Sequence, residues 1–162
     1  MAKKRREKAE KKRKLPLTFS YKHPAGARKA NKRDAGFDIS TSPFVPVIPL
    51  KVNGVYLEGL LDSGCSSFLI PRKLEPLLKL TYTGRSVGHG VSGAFNQLET
   101  TVSLTIGTGP RAIDIGMVKA YVPEDKNQDN PILIGQTVFE HMIVTFDKKN
   151  NTVTLIPNGD EE

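Results

Sequence analysis

Short apolar runs separated by turn residues fill the chain between residues 44 and 157, and they predict strands. The run VPVIPLKV leads into Asn53-Gly54, a two-residue hairpin signal, and VYLEGLL then supplies the returning strand. Pro46 and Pro49 restrict the first run to an edge or an irregular strand, because proline has no N–H to donate to a neighbour. A later run, QLETTVSLTI, alternates and places five side chains on one face, namely Leu98, Thr100, Val102, Leu104 and Ile106.

Little of the chain predicts helix. PRKLEPLLKL opens with Pro71 at a helix start, and Pro76 limits that helix to a turn or two. QTVFEHM is a second short helix, and IVTFD-KKNN-TVTLI closes the chain as a hairpin. So many short strands with so little helix predict an all-β barrel or sandwich rather than alternating strands and helices.

Charge divides the chain into a basic arm and an acidic body. Residues 1–33 hold 14 basic and two acidic side chains, a net charge of +12. Residues 34–162 hold ten basic and 15 acidic side chains, a net charge of −5. A pI near 9.5 therefore describes neither part.

The same composition suggests the domain boundaries. Residues 1–14 carry nine Lys or Arg and almost nothing to bury, so we expect a disordered basic arm. Residues 15–43 contain prolines and one apolar cluster, and we interpret them as a linker that could dock on the body. One domain then spans 44–157, and 158–162 form an acidic tail.

Composition also excludes several classes of protein. No apolar run approaches the roughly 18 residues of a membrane span, and the N-terminus lacks the apolar core of a secretory signal. We therefore expect a cytoplasmic protein with no membrane partner. The single Cys65 excludes an internal disulfide and a multi-cysteine zinc site. The three histidines are scattered without ligand spacing, so we expect no metal and no cofactor.

Asp62-Ser63-Gly64 is the candidate for chemistry. Asp62 directly follows the apolar pair Leu60-Leu61, where a carboxylate is costly unless hydrogen bonds compensate it. Gly64 allows a sharp turn that brings amide N–H groups close to the carboxylate. Taken alone, the tripeptide is more simply explained as an Asx-type turn between two strands.

The surrounding sequence favours a catalytic role. VPVIPLKVNGVYLEGLLDSGCSSFLIPRKL resembles the first half of a retroviral-type (retropepsin-like) aspartic protease: a hairpin, an apolar strand, Asp-Ser/Thr-Gly and a second apolar strand. About 70 residues later, ILIG at 132–135 resembles the family's second signature, two apolar residues and a glycine followed by a helix. The glycine-rich GRSVGHGVSGAF lies between them, where the family has its flap. The resemblance covers residues 44–157.

The resemblance implies a closed acid-protease barrel with one short C-terminal helix and a flap hairpin, preceded by the basic arm. It also implies a homodimeric aspartic endopeptidase that acts on peptide or protein substrates, with Asp62 of each copy forming a catalytic pair and Ser63 and Gly64 supporting it. The flap would comprise Gly88, His89, Gly90, Val91, Ser92 and Gly93, with the glycines as hinges. The substrate pocket and second signature would comprise Leu60, Ile132, Leu133, Ile134 and Gly135.

Three departures from the family affect this expectation. Cys65 replaces a small residue, which suggests a packed thiol. Many viral members carry an acid and an arginine at the positions of Ser66 and Gln136, so a neutral hydrogen bond is expected here instead of an ion pair. The terminal strands that interleave in viral dimers are not evident, and Leu155-Ile156 and residues 15–19 are the candidates.

A function from a different class stays open, namely a non-catalytic, protease-like binding or assembly module. Such a module could associate with RNA through residues 1–14, because nine cationic side chains bind polyanions by counterion release. That binding would be weak and non-specific, since no RNA-binding motif accompanies the arm. A solubilising tail explains the arm equally well.

Overall fold

The structure is a computed structural model that describes residues 16–22, 44–90, 92–128 and 130–158. The basic arm, most of the linker and the tail after Asn158 lie outside the described residues. No helix within the described ranges is long and apolar enough to cross a membrane. The strands are β1 (Leu17–Ser20), β2 (Val47–Val52), β3 (Val55–Leu61), β4 (Phe68–Leu69), β5 (Gly84–Gly90), β6 (Gly93–Ile106), β7 (Ile113–Pro123), β8 (Ile132–Ile134), β9 (Met142–Asp147) and β10 (Thr152–Pro157), and the helices are α1 (Glu75–Leu78) and α2 (Gln136–Phe139).

Six of these strands close into a barrel. They hydrogen-bond in the order β2-β3-β8-β4-β7-β6, and pairing between β2 and β6 completes the ring. β6 has β7 along one side, while its other side pairs first with β5 and then, at its end, with β2. The prediction of a mostly β chain with a closed barrel is confirmed, and α2 is the short helix expected near the C-terminus.

The first hairpin forms where its turn residues predict it. Asn53 and Gly54 have φ angles of 48° and 81°, the two left-handed positions of a tight hairpin turn. The Asn53 side chain also accepts from the Ser103 N–H and donates to the Leu78 carbonyl, both at 3.0 Å. These two hydrogen bonds link the turn to β6 and to the end of α1.

The prediction that β2 is an edge strand holds only for its first half, where Val47 to Pro49 pair with β3 alone. Its pairing with β6 covers only Leu50 to Val52. Both prolines precede that ladder, so the N–H that proline lacks is not needed there.

Strand β6 contributes alternating side chains to the barrel interior. All five side chains predicted to share a face are buried, and Thr100 among them donates from its hydroxyl to the Thr81 carbonyl at 2.6 Å. They pack in one core with fully buried residues of other strands, among them Ile48, Leu50, Phe68 and Val122. The alternation prediction is therefore confirmed.

A second sheet of three strands, in the order β1-β10-β9, packs against the barrel. Leu17 and Phe19 of β1 contact the core, whereas Thr18 and Ser20 are exposed. The apolar cluster of the linker thus docks on the body as a strand. Leu17 pairs with Leu155 of the same chain, so the two segments considered for interleaving with a second copy pair with each other.

Candidate active site

Asp62 lies at the carboxyl end of β3, half-buried. β3 runs parallel to β8, with Leu61 opposite Ile134, and the Asp62 N–H continues this ladder by donating to the Ile134 carbonyl at 2.9 Å. The carboxylate oxygen Oδ1 accepts from the Gly64 N–H at 2.9 Å. The backbone of the predicted tripeptide therefore fixes both the position and the orientation of the carboxylate.

The two sequence signatures meet because β8 lies between β3 and β4. β3 and β4 are consecutive in the chain and flank the loop of residues 62–67, yet β8 pairs in parallel with the first and antiparallel with the second. The Cys65 carbonyl accepts from the Gln136 N–H at 2.9 Å, and the Ser66 carbonyl accepts from the Thr137 N–H at 3.3 Å. The N–H groups that a helix start leaves free are thus used to hold the loop.

Gly135 is the point of closest approach between the two signatures. A Cβ atom built at this residue would overlap the backbone oxygens of Ser67 and Cys65. Both obstacles belong to the backbone and cannot rotate away. The glycine of ILIG is therefore a packing requirement of the loop that carries Asp62.

Gln136 makes a neutral hydrogen bond to the same loop. Its side-chain Nε2 donates to the Ser63 carbonyl at 3.0 Å, so the acceptor is the residue next to Asp62 rather than the Ser66 side chain. Cys65 is half-buried rather than a core residue, and its thiol donates to the Ser67 carbonyl at 3.3 Å. Both residues thus restrain the loop without any charge.

The predicted pocket residues divide between the two faces of their strands. Ile132 and Ile134 are buried in the barrel core, so they cannot line a surface that substrate touches. Leu60 and Leu133 lie opposite each other on β3 and β8, and both are half-buried. Because neighbours along a strand point to opposite faces, only this second pair has side chains that solvent reaches.

The glycine-rich stretch forms the predicted hairpin, with β5 and β6 paired from Gly84 and Glu99 to Gly90 and Gly93. The neighbouring strand β7 ends opposite Gln97, and one further hydrogen bond joins the Glu124 N–H to the Asn96 carbonyl at 2.9 Å. Beyond that bond the hairpin is two-stranded. His89 and Ser92 are exposed near its tip, and Val91 lies outside the described residues.

The glycines of this hairpin differ in their roles. Gly88 pairs with Phe95, and a Cβ at Gly88 would lie 2.6 Å from the Phe95 ring. Gly90 leaves 3.5 Å to the same ring, so Phe95 covers both residues. Gly88 therefore provides space for an aromatic ring inside a regular ladder, whereas a Cβ at Gly90 would make only an ordinary contact with that ring. Only Gly93, with φ of 114°, needs a backbone conformation that favours glycine.

A charged cluster joins the root of the hairpin to α1, and sequence reasoning missed it. Arg72 contacts Glu75 at 2.9 Å and donates to the Glu124 carbonyl at 2.8 Å, while Arg85 of β5 contacts the Glu124 carboxylate at 3.1 Å. The hydrogen bond from Arg72 lowers the pKa of Glu75. The spacing of Arg72 and Glu75 is a local signal, whereas nothing in the sequence indicates their proximity to Glu124.

Burial raises the pKa of Tyr82, which lies beside this cluster, to about 12, and the Glu75 carboxylate adds to the effect. Its hydroxyl is buried and lies beside the Glu75 carboxylate. The hairpin root thus combines surface ion pairs with one neutral, desolvated phenol.

Two other features of the described residues bear on possible chemistry. No group of three or more His, Cys, Asp or Glu side chains among them could hold a metal ion. An open groove beside α2 is lined by Met117, Val118, Lys119, Tyr121, Thr137 and His141. This groove contains none of the predicted site residues.

Comparison with known proteins adds no relative from which a function could be transferred. No protein-family model matches the chain, and no curated protein is significantly similar to it in sequence. A functional conclusion therefore rests on the loop of Asp62, its contacts with α2 and the hairpin that follows.

Proposed function

We propose that the chain is a homodimeric aspartic endopeptidase in which Asp62 of two copies forms the catalytic pair. The observation that carries this proposal is the direct contact between the Asp62-Ser63-Gly64 loop and the segment after β8. Two sequence signatures some 70 residues apart resemble those of retropepsin-like proteases, and they share one hydrogen-bonded unit. An isolated Asx turn would explain the Gly64 hydrogen bond but not this second contact.

The reaction follows from the proximity of two like charges. Two carboxylates across a two-fold axis cannot both be ionised at close range, so the pair holds one proton. The ionised carboxylate accepts a proton from a water molecule, whose oxygen attacks the scissile carbonyl carbon. The protonated carboxyl group donates to the carbonyl oxygen. Transfer of a proton to the peptide nitrogen then breaks the C–N bond and releases an acid and an amine.

The residues around Asp62 have supporting roles in this scheme. The Gly64 N–H holds Oδ1, which leaves Oδ2 for the water and the second carboxyl group. Gln136 holds the Ser63 carbonyl, and in this scheme the Ser63 hydroxyl hydrogen-bonds across the two-fold axis. The hairpin of β5 and β6 covers the bound peptide and excludes water from the reaction.

The Asp62→Asn variant tests the proposal. The exchange keeps the size of the side chain and an oxygen for the Gly64 N–H, but removes the acid. We expect cleavage of extended peptides at mildly acidic pH to fall by about 10²–10⁴-fold or more, the range of general acid–base catalysis. Asp114→Asn is the matched control, because Asp114 Oδ1 likewise accepts from the N–H two residues on, that of Gly116, at 3.0 Å. Equal activity of the Asp62→Asn variant and the unaltered chain would refute the assignment.

A further inference from the structure

β9 is an outer strand of the three-stranded sheet and pairs, within the described ranges, only with β10. Its outer side therefore presents backbone N–H and C=O groups to which a further strand can add. Proteins commonly block such edges with Lys, Pro or a bulge. β9, with the sequence MIVTFD, contains neither Lys nor Pro, and its register with β10 is regular. Its edge is thus open to strand pairing.

Exposed apolar side chains single out the same strand. Ile143 and Phe146 of β9 are exposed by 57% and 40%. No other described strand or helix carries two exposed large apolar side chains. The remaining five are distributed over separate parts of the fold and are Phe44, Tyr56, Leu77, Val87 and Met117.

The other open edges are less suited to pairing. β5 contains three glycines and Arg85, and glycine weakens a strand. β1 is only four residues long, and its outward side chains are Thr18 and Ser20. Among the described edges, β9 therefore combines the greatest strand propensity with apolar surface.

We infer that β9 pairs antiparallel with β9 of a second copy of this chain, which joins the two small sheets into one of six strands. The inference rests on the proposed function, because one chain supplies only one Asp62 and the site is incomplete without the second copy. β10 is paired on both sides within the same chain, so it does not provide this contact.

The β9 sequence is self-complementary in this arrangement. Pairing centred on Thr145 sets Thr145 opposite Thr145 of the second copy, and Val144 opposite Phe146. Ile143 then lies opposite Asp147, so the two Asp147 carboxylates do not face each other. Threonine pairs and aromatic–β-branched pairs are both favourable across antiparallel strands.

The interface also connects directly to the candidate site. β9 begins three residues after α2, whose first residues hold the carbonyls of Cys65 and Ser66. The Phe146 ring of β9 packs against the Phe139 ring of α2, with centroids 6.3 Å apart. A second copy paired with β9 would therefore lie next to the helix that positions the loop of Asp62.

Charge substitution at Thr145 tests this interface in the full chain. Thr145 is exposed, so a charge there leaves the fold intact, which circular dichroism verifies. In Thr145→Lys and in Thr145→Asp, like charges meet at the two-fold axis. We expect the dimer dissociation constant from sedimentation velocity to rise by about 100-fold or more in each variant. An equimolar mixture of the two variants should form dimers again.

Thr18→Lys is the matched control, because it is the same Thr-to-Lys substitution at an exposed position on the opposite edge of the same sheet. Its dimer dissociation constant should stay that of the unaltered chain. A monomeric unaltered chain, or Thr145 variants that dimerise normally, would overturn the inference. A monomeric unaltered chain would also contradict the homodimeric peptidase, but the other outcomes separate the two proposals, because sedimentation needs no peptidase activity. If the Thr145 variants dimerise normally and the Asp62→Asn variant is inactive, only the proposed interface is refuted. If the Thr145 variants are monomeric and dimerise again when mixed, but the unaltered chain has no peptidase activity, only the proposed function is refuted.

Discussion

Among the glycines of the candidate site, Gly135 has the most restricted surroundings. Its neighbours across the contact are backbone oxygens of Ser67 and Cys65, whereas Gly88 and Gly90 of the hairpin face the side chain of Phe95. The loop of Asp62 is held on one side by this close contact and on the other by the hydrogen bonds of Gln136. Its geometry thus depends on packing and neutral hydrogen bonds rather than on an ion pair.

The Gly135→Ala variant should therefore be strongly destabilised. The added methyl group can be accommodated only if the loop or the start of α2 moves. We expect the free energy of unfolding to fall by about 3 kcal/mol or more, in the upper range of overpacking substitutions. Urea denaturation measures this change. Gly90→Ala is the control, because a Cβ there lies 3.5 Å from the Phe95 ring, and its cost should stay below about 1 kcal/mol. Equal costs would contradict the prediction.

Tyr82 predicts a specific pH dependence of stability at alkaline pH. Its pKa is raised from 10.0 to about 12, so the folded chain keeps a proton that the unfolded chain loses between these values. Stability therefore decreases as the pH rises from 10 to 12. The Tyr82→Phe variant lacks this proton, and its loss of stability over the same range should be smaller. Parallel curves from urea denaturation of the two chains would show that Tyr82 titrates normally.

At the scale of elements, the features that can be predicted from sequence have local causes. Asn53-Gly54 determines a hairpin through its own backbone preferences, and the alternation of β6 determines which of its side chains are buried. The position of β8 between β3 and β4 has no local cause, because it pairs residues that are far apart in the chain. The burial of Ile132 and Ile134 in the core, instead of in a substrate pocket, has no local cause either. Alternation alone does not show which face of a strand is turned towards the core.

The pairing pattern of β6 predicts a gradient of local stability along the strand. From Gln97 to Ile106 it pairs with β7, but Ala94 and Phe95 pair only with β5. The two-stranded end should open without disturbing the barrel. We expect the Ala94 and Phe95 amides to exchange with solvent at least about 100-fold faster than those of Val102 and Leu104. Native-state hydrogen exchange measures these rates. Uniform protection along β6 would contradict this gradient.

At the scale of the whole molecule, charge and chemistry lie in different parts of the chain. The body after residue 33 has a net charge of −5 and contains Asp62, α2 and β9, whereas residues 1–33 have a net charge of +12. The overall charge of +7 alone would favour a nucleic-acid-binding protein. The candidate chemistry around Asp62 instead lies in the acidic body. The role of the basic arm can therefore be tested by removing the arm from the chain.

Deletion of residues 1–14 separates the peptidase from the RNA-associated alternative. These residues precede β1 and carry nine Lys or Arg, so binding of single-stranded RNA should disappear while peptide cleavage and urea stability stay unchanged. In the full chain, the logarithm of the RNA association constant should fall with the logarithm of salt concentration, with a slope no steeper than about −6 for nine neutralised phosphates. A scrambled arm of the same composition is the control, and it should restore binding fully because counterion release does not depend on sequence. RNA binding that survives the deletion would place the contact on the body, and loss of cleavage would make the arm part of the peptidase.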